Sequence, residues 1–346
     1  MEAERTAGIP IEKTHLSEPE KRLSHTEETK RIHYHSMAAL YHKEMTDHIS
    51  SKRFLIILLL VAATTAAGIY GAVNGMKDAI ASDSNFIFLK LYTTGSNSIP
   101  SYMAFMALIG PFVGLILGFD AINSEKNNGT LNRLLAQPIY RDSVIIGKFL
   151  AGVSLISIMV ISTGVLIGAA GFLQIGILPS GEELIRVMVY LGYTIVYISF
   201  WLAMSMLFSV VCRHTATSAL ASIALWIFFA VFMSLLAGII ANLVYPVDNQ
   251  YNAMVNSLKN YNCELYLNRL SPYYLYSEAV STIMNPAVRA VNAVTMSQLV
   301  GALSSYLSLG QSLLLVWPHL LGLIALTLAV FTISYVKFMR QEIRGN

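Results

Sequence analysis

The chain has 346 residues, of which 55% are hydrophobic and only 12% are charged. Soluble domains carry about 25% charged residues, so the composition excludes an ordinary soluble globular protein. The formal net charge is +3, and the distribution of its basic residues follows membrane orientation rather than nucleic-acid binding, so we expect no nucleic-acid partner.

The first part of the chain is polar. Residues 1–35 mix charges, histidine, proline and glycine, which predicts a disordered tail. No apolar stretch precedes residue 50, so we expect no cleavable signal peptide ahead of the first span. Residues 36–53 differ, because apolar side chains recur there at spacings of three and four. This pattern predicts an amphipathic connecting helix along the inner membrane surface; its apolar residues are Met37, Leu40, Tyr41, Met45 and Ile49.

Six stretches without Asp, Glu, Lys or Arg predict six transmembrane helices in an all-α integral membrane protein. A helix needs about 20 apolar residues to cross the hydrocarbon core, and backbone polar groups in lipid must pair within their own segment. The predicted spans lie near 54–74, 102–119, 149–173, 187–211, 216–244 and 313–336.

The basic residues indicate the orientation. With the N-terminus inside, seventeen of the 23 Lys and Arg residues lie on the inner side, as the positive-inside rule requires. Both termini are therefore predicted to be cytoplasmic.

The segment 245–312 is predicted to form a helical, externally exposed subdomain, because a structureless loop of that length is uncommon. Its tyrosines are more typical of an interfacial belt than of a ligand cage; they are Tyr261, Tyr266, Tyr273, Tyr274 and Tyr276. A seventh span at 290–311 is the alternative topology. Because it is rich in Ser, Thr, Asn and Gln, and would place the basic C-terminus outside, we favour an amphipathic or re-entrant helix there.

Gly110, Gly114 and Gly118 form a row of small residues four apart on the second span. Such a row lets two helices approach closely. It indicates either packing within the chain or, as the alternative, a subunit interface or a smooth transport surface.

The usual catalytic motifs are missing from the sequence. It contains no GxxxxGK[ST] phosphate-binding loop and no His-Glu-x-x-His zinc motif, so we predict that the chain is not an enzyme. Leu307–Gln311 reads LSLGQ, close to an ABC ATPase signature, and we interpret it as chance. The predicted spans carry no charged residue, which argues against an ion-coupled carrier.

Histidines and cysteines suggest no metal site or disulfide. Six histidines fall in the polar first 50 residues, where they are expected to be solvated; they are His15, His25, His33, His35, His42 and His48. His319 in the last span is interpreted as a packed residue. Cys212 and Cys263 are predicted to lie on opposite sides of the membrane, where they cannot pair.

The inner loop 120–148 is the most informative segment. Gly129 predicts a turn, Thr130 a helix N-cap and Pro138 a helix end. Leu131, Leu134 and Leu135 form an apolar edge suited to a groove on a partner, with Glu125 and Arg133 at its rim. The alternative is a solvated loop in which Glu125, Arg133, Arg141 and Lys148 only face water.

Three segments resemble the permease subunits of ABC transporters of the ABC-2 type. They are KEMTDHISSKRFLIILLL (residues 43–60), FDAINSEKNNGTLNRLLAQPIYRDSVIIGKFLAG (119–152) and, more weakly, LSPYYLYSEAVSTIMNP (270–286). The nearest subgroup is that of permeases encoded with nitrous-oxide reductase maturation genes.

This resemblance implies a multi-pass protein of a prokaryotic plasma membrane that works as an ATP-driven exporter. A separate cytoplasmic ATPase subunit would bind ATP and magnesium, this chain would bind no cofactor, and a second permease subunit, by default a second copy, would complete the pore. It also implies that a coupling helix at about 124–137 and the connecting helix contact the ATPase, with Lys43, Glu44, Glu125, Gly129, Thr130, Leu131, Arg133, Leu134 and Leu135 as coupling residues.

Two other functions remain open at this point. One is a membrane-anchored assembly protein with an outer docking surface, and the other is an ion-coupled secondary carrier.

Overall fold

A computed structural model describes residues 37–130, 140–176, 178–287 and 306–341. Within these residues all regular structure is helical, and six helices are long and apolar enough to cross a membrane. The predictions of an all-α membrane protein and of six spans are therefore confirmed.

Eleven helices are described, and α8 contains a π-helical segment at Phe228–Phe232. In chain order they are α1 (37–49), α2 (Lys52–Ser82), α3 (Ile87–Thr93), α4 (Tyr102–Gly118), α5 (Asn123–Asn127), α6 (Arg141–Ile175), α7 (Gly181–Val211), α8 (Thr215–Val244), α9 (Gln250–Asn268), α10 (Pro272–Met284) and α11 (Leu309–Arg340). The spans are α2, α4, α6, α7, α8 and α11. Residues 1–36, which include the predicted tail, lie outside the described residues.

Most spans extend beyond the predicted apolar stretches because polar residues begin the helices before the charge-free region. Ser180 caps α7, where its side chain accepts a hydrogen bond from the backbone N–H of Glu183. At the start of α11 the Ser308 N–H donates to Gln311 Oε1 over 3.1 Å. The LSLGQ sequence thus lies at a helix start.

Helix α7 is the centre of the bundle, packed against α4, α6, α10 and α11. Its aromatic side chains Tyr190, Tyr197 and Trp201 are fully buried. The glycine row of α4 lies against α7 of the same chain, where a Cβ atom on Gly114 would stand 2.5 Å from the Ile198 carbonyl oxygen. This is the arrangement expected from the first of the two alternatives, packing within the chain.

The bundle has two ends. The terminal end carries residues 37–53, 118–130, 141–148, 210–214 and 337–341, which include both described ends of the chain. The distal end carries the segments between α2 and α4, α6 and α7, α8 and α9, and α10 and α11.

Helices α9 and α10 form a hairpin that re-enters the bundle from the distal end. Asn260 on α9 donates to Asn242 on α8 over 2.8 Å, so α9 runs back along α8. At the tip of the hairpin the Ser271 hydroxyl donates over 2.8 Å to the Phe229 carbonyl, which lies in the π-helical middle of α8. Among the described residues of the predicted exposed subdomain, α10 is therefore largely packed against the spans, whereas α9 is mostly exposed or half-buried.

Tyr276 shows why the prediction of an exposed belt is wrong for this residue. Its side chain is fully buried and stacks on Tyr197 with ring centroids 4.2 Å apart. The α10 sequence has an apolar face that needs burial, and α7 supplies the surface for it. The alternative seventh span falls largely on residues 288–305, outside the described residues, and α11 begins at Leu309.

Candidate functional site

The predicted coupling residues lie at the terminal end of the bundle. Lys43 and Glu44 are on α1, and Glu125 is on the short helix α5. Gly129 makes the predicted turn with φ at +69°, a conformation that glycine adopts without strain. The Thr130 hydroxyl donates to the Glu125 carbonyl over 3.2 Å. Four further predicted residues lie outside the described residues, namely Leu131, Arg133, Leu134 and Leu135.

Lys148 on α6 joins the predicted residues into one cluster. Its ammonium group donates over 2.8 Å to Glu44 and over 2.8 Å to Glu125. Lys43 stands 3.3 Å from Glu44 and 3.8 Å from Glu125. Two cations and two carboxylates therefore alternate where α1, α5 and α6 meet, and we call Lys43, Glu44, Glu125 and Lys148 the inner charge cluster.

Most of this cluster is buried, which makes the loss of one charged partner costly. The side chains of Lys148 and Glu44 are 6% exposed and that of Glu125 is 15% exposed. The alternative of a solvated loop is therefore wrong for Glu125 and Lys148, because both side chains are largely buried. Removing one partner of such a buried ion pair costs about 3–5 kcal/mol. Arg141 is also engaged, because its guanidinium donates to the Gln341 carbonyl over 3.0 Å.

The electrostatic balance of the cluster favours its charged state. Burial alone would raise the pKa of Glu44, but Lys148 and Lys43 outweigh it and hold the pKa below its ordinary value. Burial alone would lower the pKa of Lys43, but Glu44 and Glu125 hold it above its ordinary value. Beside the cluster, burial lowers the pKa of His48, so this imidazole is neutral at pH 7.

A second ion pair lies next to the inner charge cluster. Arg53, at the start of α2, donates to Asp120 just after α4, and its guanidinium lies 5.3 Å from the centre of the Phe119 ring. A small cavity of about 180 Å³ separates this pair from the cluster and is lined by side chains of both.

Hydrogen bonds fix the segment after α4 to the end of α7. The Ser209 hydroxyl accepts from the backbone N–H groups of Ile122 at 3.0 Å and Asn123 at 3.2 Å. Asn127 donates to the Arg213 carbonyl over 3.2 Å. A displacement of α5 would therefore be transmitted to α1, α6 and α7 together.

The charged groups of this site form pairs between separate helices. Within the described ranges no group of three or more His, Cys, Asp or Glu residues could hold a metal ion. The cluster consists of paired charges on separate elements, an arrangement that fixes relative positions.

Three residues of this site were not recognised in the sequence. Lys148 was named only in the alternative of a solvated loop, although Gly147-Lys148 lies in the second segment that resembles ABC-2 permeases. Asp120, in the Phe-Asp pair that begins this segment, carried a similar signal. Ser209 gave none, because a serine near the end of an apolar helix has many possible roles.

Sequence comparisons identify the family to which the chain belongs and two of its relatives. Residues 38–343 match the family described as ABC-2 family transporter protein. A protein of Pseudomonas aeruginosa named "Probable ABC transporter permease protein NosY" is 27% identical over 198 residues, which cover 56% of this chain and 66% of that protein. The protein of the same name from Stutzerimonas stutzeri is 30% identical over 149 residues, covering 41% of this chain and 46% of that protein.

The two relatives are thus matched over less than two thirds of their length, whereas the family match extends across all six spans. The chain is a multi-pass membrane protein and belongs to the ABC-2 family of transporter proteins.

Proposed function

We propose that this chain is the permease subunit of an ATP-driven ABC exporter, coupled at its terminal end to a separate cytoplasmic ATPase that binds ATP and magnesium. The observation that carries the proposal is the inner charge cluster. It fixes α1 and α5, the two elements expected to meet the ATPase, to the beginning of the span α6.

The cluster explains how a push on a surface helix reaches the membrane. Movement of α5 that separated Glu125 from Lys148 would leave buried charges without partners, at about 3–5 kcal/mol. Rigid displacement of α1, α5 and the beginning of α6 avoids this cost. ATP-driven closure of the ATPase would therefore tilt the spans rather than deform the junction.

The exposed surfaces of the spans agree with a paired, lipid-embedded subunit. In its most apolar window, α8 is only 11% buried, against 67% for α7. An apolar span exposed to this extent needs lipid or another subunit around it. We propose a homodimer in a prokaryotic plasma membrane, with the terminal end in the cytoplasm as the basic residues predict.

The test is affinity purification of the tagged chain from its native membrane in mild detergent, followed by mass spectrometry. We expect an ATPase subunit in about equal amount. Recovery of the chain alone, even after gentle crosslinking, would contradict the proposal and favour the anchor or secondary-carrier functions.

A variant pair tests the coupling segment itself. Leu131→Asp with Leu134→Asp should abolish recovery of the ATPase, because each apolar side chain buried in its groove contributes about 1.5–3 kcal/mol. Asn128→Asp is the control, since it adds a negative charge at an exposed position of the same segment. Full ATPase binding and activity in the double variant would show that this segment is not the coupling element.

A further inference from the structure

Three charged or titratable side chains join the re-entrant hairpin to the last span. Arg269 at the tip of the hairpin donates to both oxygens of Glu278 on α10, over 3.0 Å and 2.9 Å. The same carboxylate lies 2.7 Å from Nε2 of His319 on α11. No sequence pattern indicated this arrangement, because Arg269 and Glu278 belong to a segment predicted to be external.

The three side chains are largely buried. Their exposed fractions are 21% for Arg269, 11% for Glu278 and 7% for His319. His319 lies ten residues into α11, or about 15 Å along the helix axis. The group is therefore inside the distal half of the bundle rather than at its surface.

The charged groups of this cluster are paired with one another. Among the described residues Nδ1 of His319 is buried without a hydrogen-bond partner, and Nε2 faces the Glu278 carboxylate, to which it donates when it carries a proton. Arg269 and Glu278 cancel each other's charge, as an ion pair at this depth of a membrane protein must.

Stability alone does not account for such a group. Replacing a buried ion pair by well-packed apolar residues is often neutral or stabilising, whereas removing one partner is costly. The charged partners instead determine which surface of α10 packs against which surface of α11. Here they supplement an apolar contact in which a Cβ atom on Gly322 of α11 would lie 3.7 Å from Leu275 of α10.

We propose that Arg269, Glu278 and His319 form a charge latch that holds the re-entrant hairpin against α11. Through this latch, α10 and α11 move as one body when the spans rearrange during transport. The second statement rests on the proposed function, whereas the latch itself does not.

The experiment is a crosslinking assay on the full chain in membranes. Leu275→Cys and Gly322→Cys are introduced after Cys212→Ser and Cys263→Ser have removed the native thiols. Oxidation with copper phenanthroline should join α10 to α11 without nucleotide, and mass spectrometry of the linked peptides measures the rate.

Variants of the latch decide the first statement. Glu278→Leu should slow crosslinking about tenfold, which corresponds to 1.4 kcal/mol in the contact. His319→Leu should also slow it, whereas His319→Gln, which keeps an N–H donor, should not. Glu264→Leu on α9 is the matched control, because it removes an acidic residue of the same hairpin outside the latch. Unchanged crosslinking in both Glu278→Leu and His319→Leu would overturn the latch.

A variant without either charge keeps the test decisive if Glu278→Leu fails to fold. Arg269→Met combined with Glu278→Leu removes both charges of the ion pair together, and it should fold while crosslinking slowly. Crosslinking at the parent rate in this variant would also overturn the latch.

The second statement is tested in the complex with its ATPase, trapped with ATP and vanadate. Crosslinking should then proceed as fast as without nucleotide. A large fall in the trapped state would show that α10 and α11 separate. If no ATPase is found, the proposed function fails, but the nucleotide-free rates still decide whether the latch exists.

Discussion

The two ends of the bundle solve the same problem with different chemistry. At the terminal end, the inner charge cluster joins α1, α5 and α6 through two cations and two carboxylates. At the distal end, Arg186 joins α7 to α10 and to the beginning of α11. Its guanidinium makes five hydrogen bonds, one for each of its N–H groups: two to Glu182 and one each to Ile283, Leu307 and Ser312.

The acceptors account for the difference between the two junctions. Two of the Arg186 bonds go to backbone carbonyls, at the last turn of α10 and just before α11, where carbonyls lack helical partners. The inner charge cluster instead pairs charged side chains with one another, so that one charge can be lost while the others remain. The distal junction is therefore a fixed anchor, whereas the terminal junction depends on charge state and joins elements expected to move with a partner.

The largest expected effect is the loss of the distal anchor. Arg186 is fully buried, and Arg186→Leu removes every donor it supplies, at about 3–5 kcal/mol of unfolding free energy. Thermal unfolding of the purified protein in detergent measures the change. Arg186→Lys should be intermediate, because an ammonium group has three donors instead of five. A melting temperature equal to that of the parent in Arg186→Leu would contradict the anchor.

The second effect is local rather than global. Lys148→Met leaves Glu44 and Glu125 buried without their shared cation, at about 3 kcal/mol. Because α1 lies at the edge of the bundle, we expect increased amide hydrogen exchange in residues 37–49 with little change in α7. Lys148→Arg, which retains the charge, serves as the control. Equal exchange in α1 of Lys148→Met and the parent would mean that the cluster does not hold this helix.

Acidification should loosen the terminal junction and spare the distal one. The pKa of Glu44 is lowered in the folded protein, so its contribution is present above the ordinary value of 4.5 and is lost as the pH falls through the folded pKa. The lowered pKa of His48 acts in the same direction, beginning below 6.5, because the folded state disfavours the protonated imidazole. At the distal junction three of the five Arg186 hydrogen bonds go to uncharged acceptors, which acid does not remove.

Hydrogen exchange measured across the acidic range, corrected for intrinsic rates, tests this difference. Exchange in residues 37–49 should rise as the pH falls, while the start of α7 stays protected. In Glu44→Gln the part of this dependence that begins below pH 4.5 should disappear. An equal loss of protection from exchange at both ends would show that the terminal junction is no more sensitive to acid than the distal one.

The smallest effect is expected at the rim of the inner charge cluster. The side chain of Lys43 is 48% exposed, so water screens its ion pairs, and Lys43→Gln should cost about 0.5 kcal/mol. Exchange in α1 is again the measurement, with Lys126→Gln on α5 as an exposed control. A loss as large as that of Lys148→Met would mean that the exposed cation, not the buried one, holds the junction.

Much of the candidate site could be read from the sequence, but its connections could not. The resemblance to ABC-2 permeases implied roles for Lys43, Glu44 and Glu125, which the structure brings together. Lys148 looked like one more inner-side cation because no local pattern specifies how α1 lies against α6. Arg186 was counted only as an outer-side basic residue, since its backbone acceptors carry no sequence signal.

The sequence by itself determined the six spans and the all-α class, because lipid requires long apolar segments with internally paired backbones. Only the tertiary structure decided that α9 and α10 turn back into the bundle, since α9 is too polar to read as a membrane segment. The same holds for the contacts of Lys148, Arg186 and Glu278 with their partners. Those contacts join residues far apart in the chain, and helix packing selects them from many pairings that the sequence leaves equally possible.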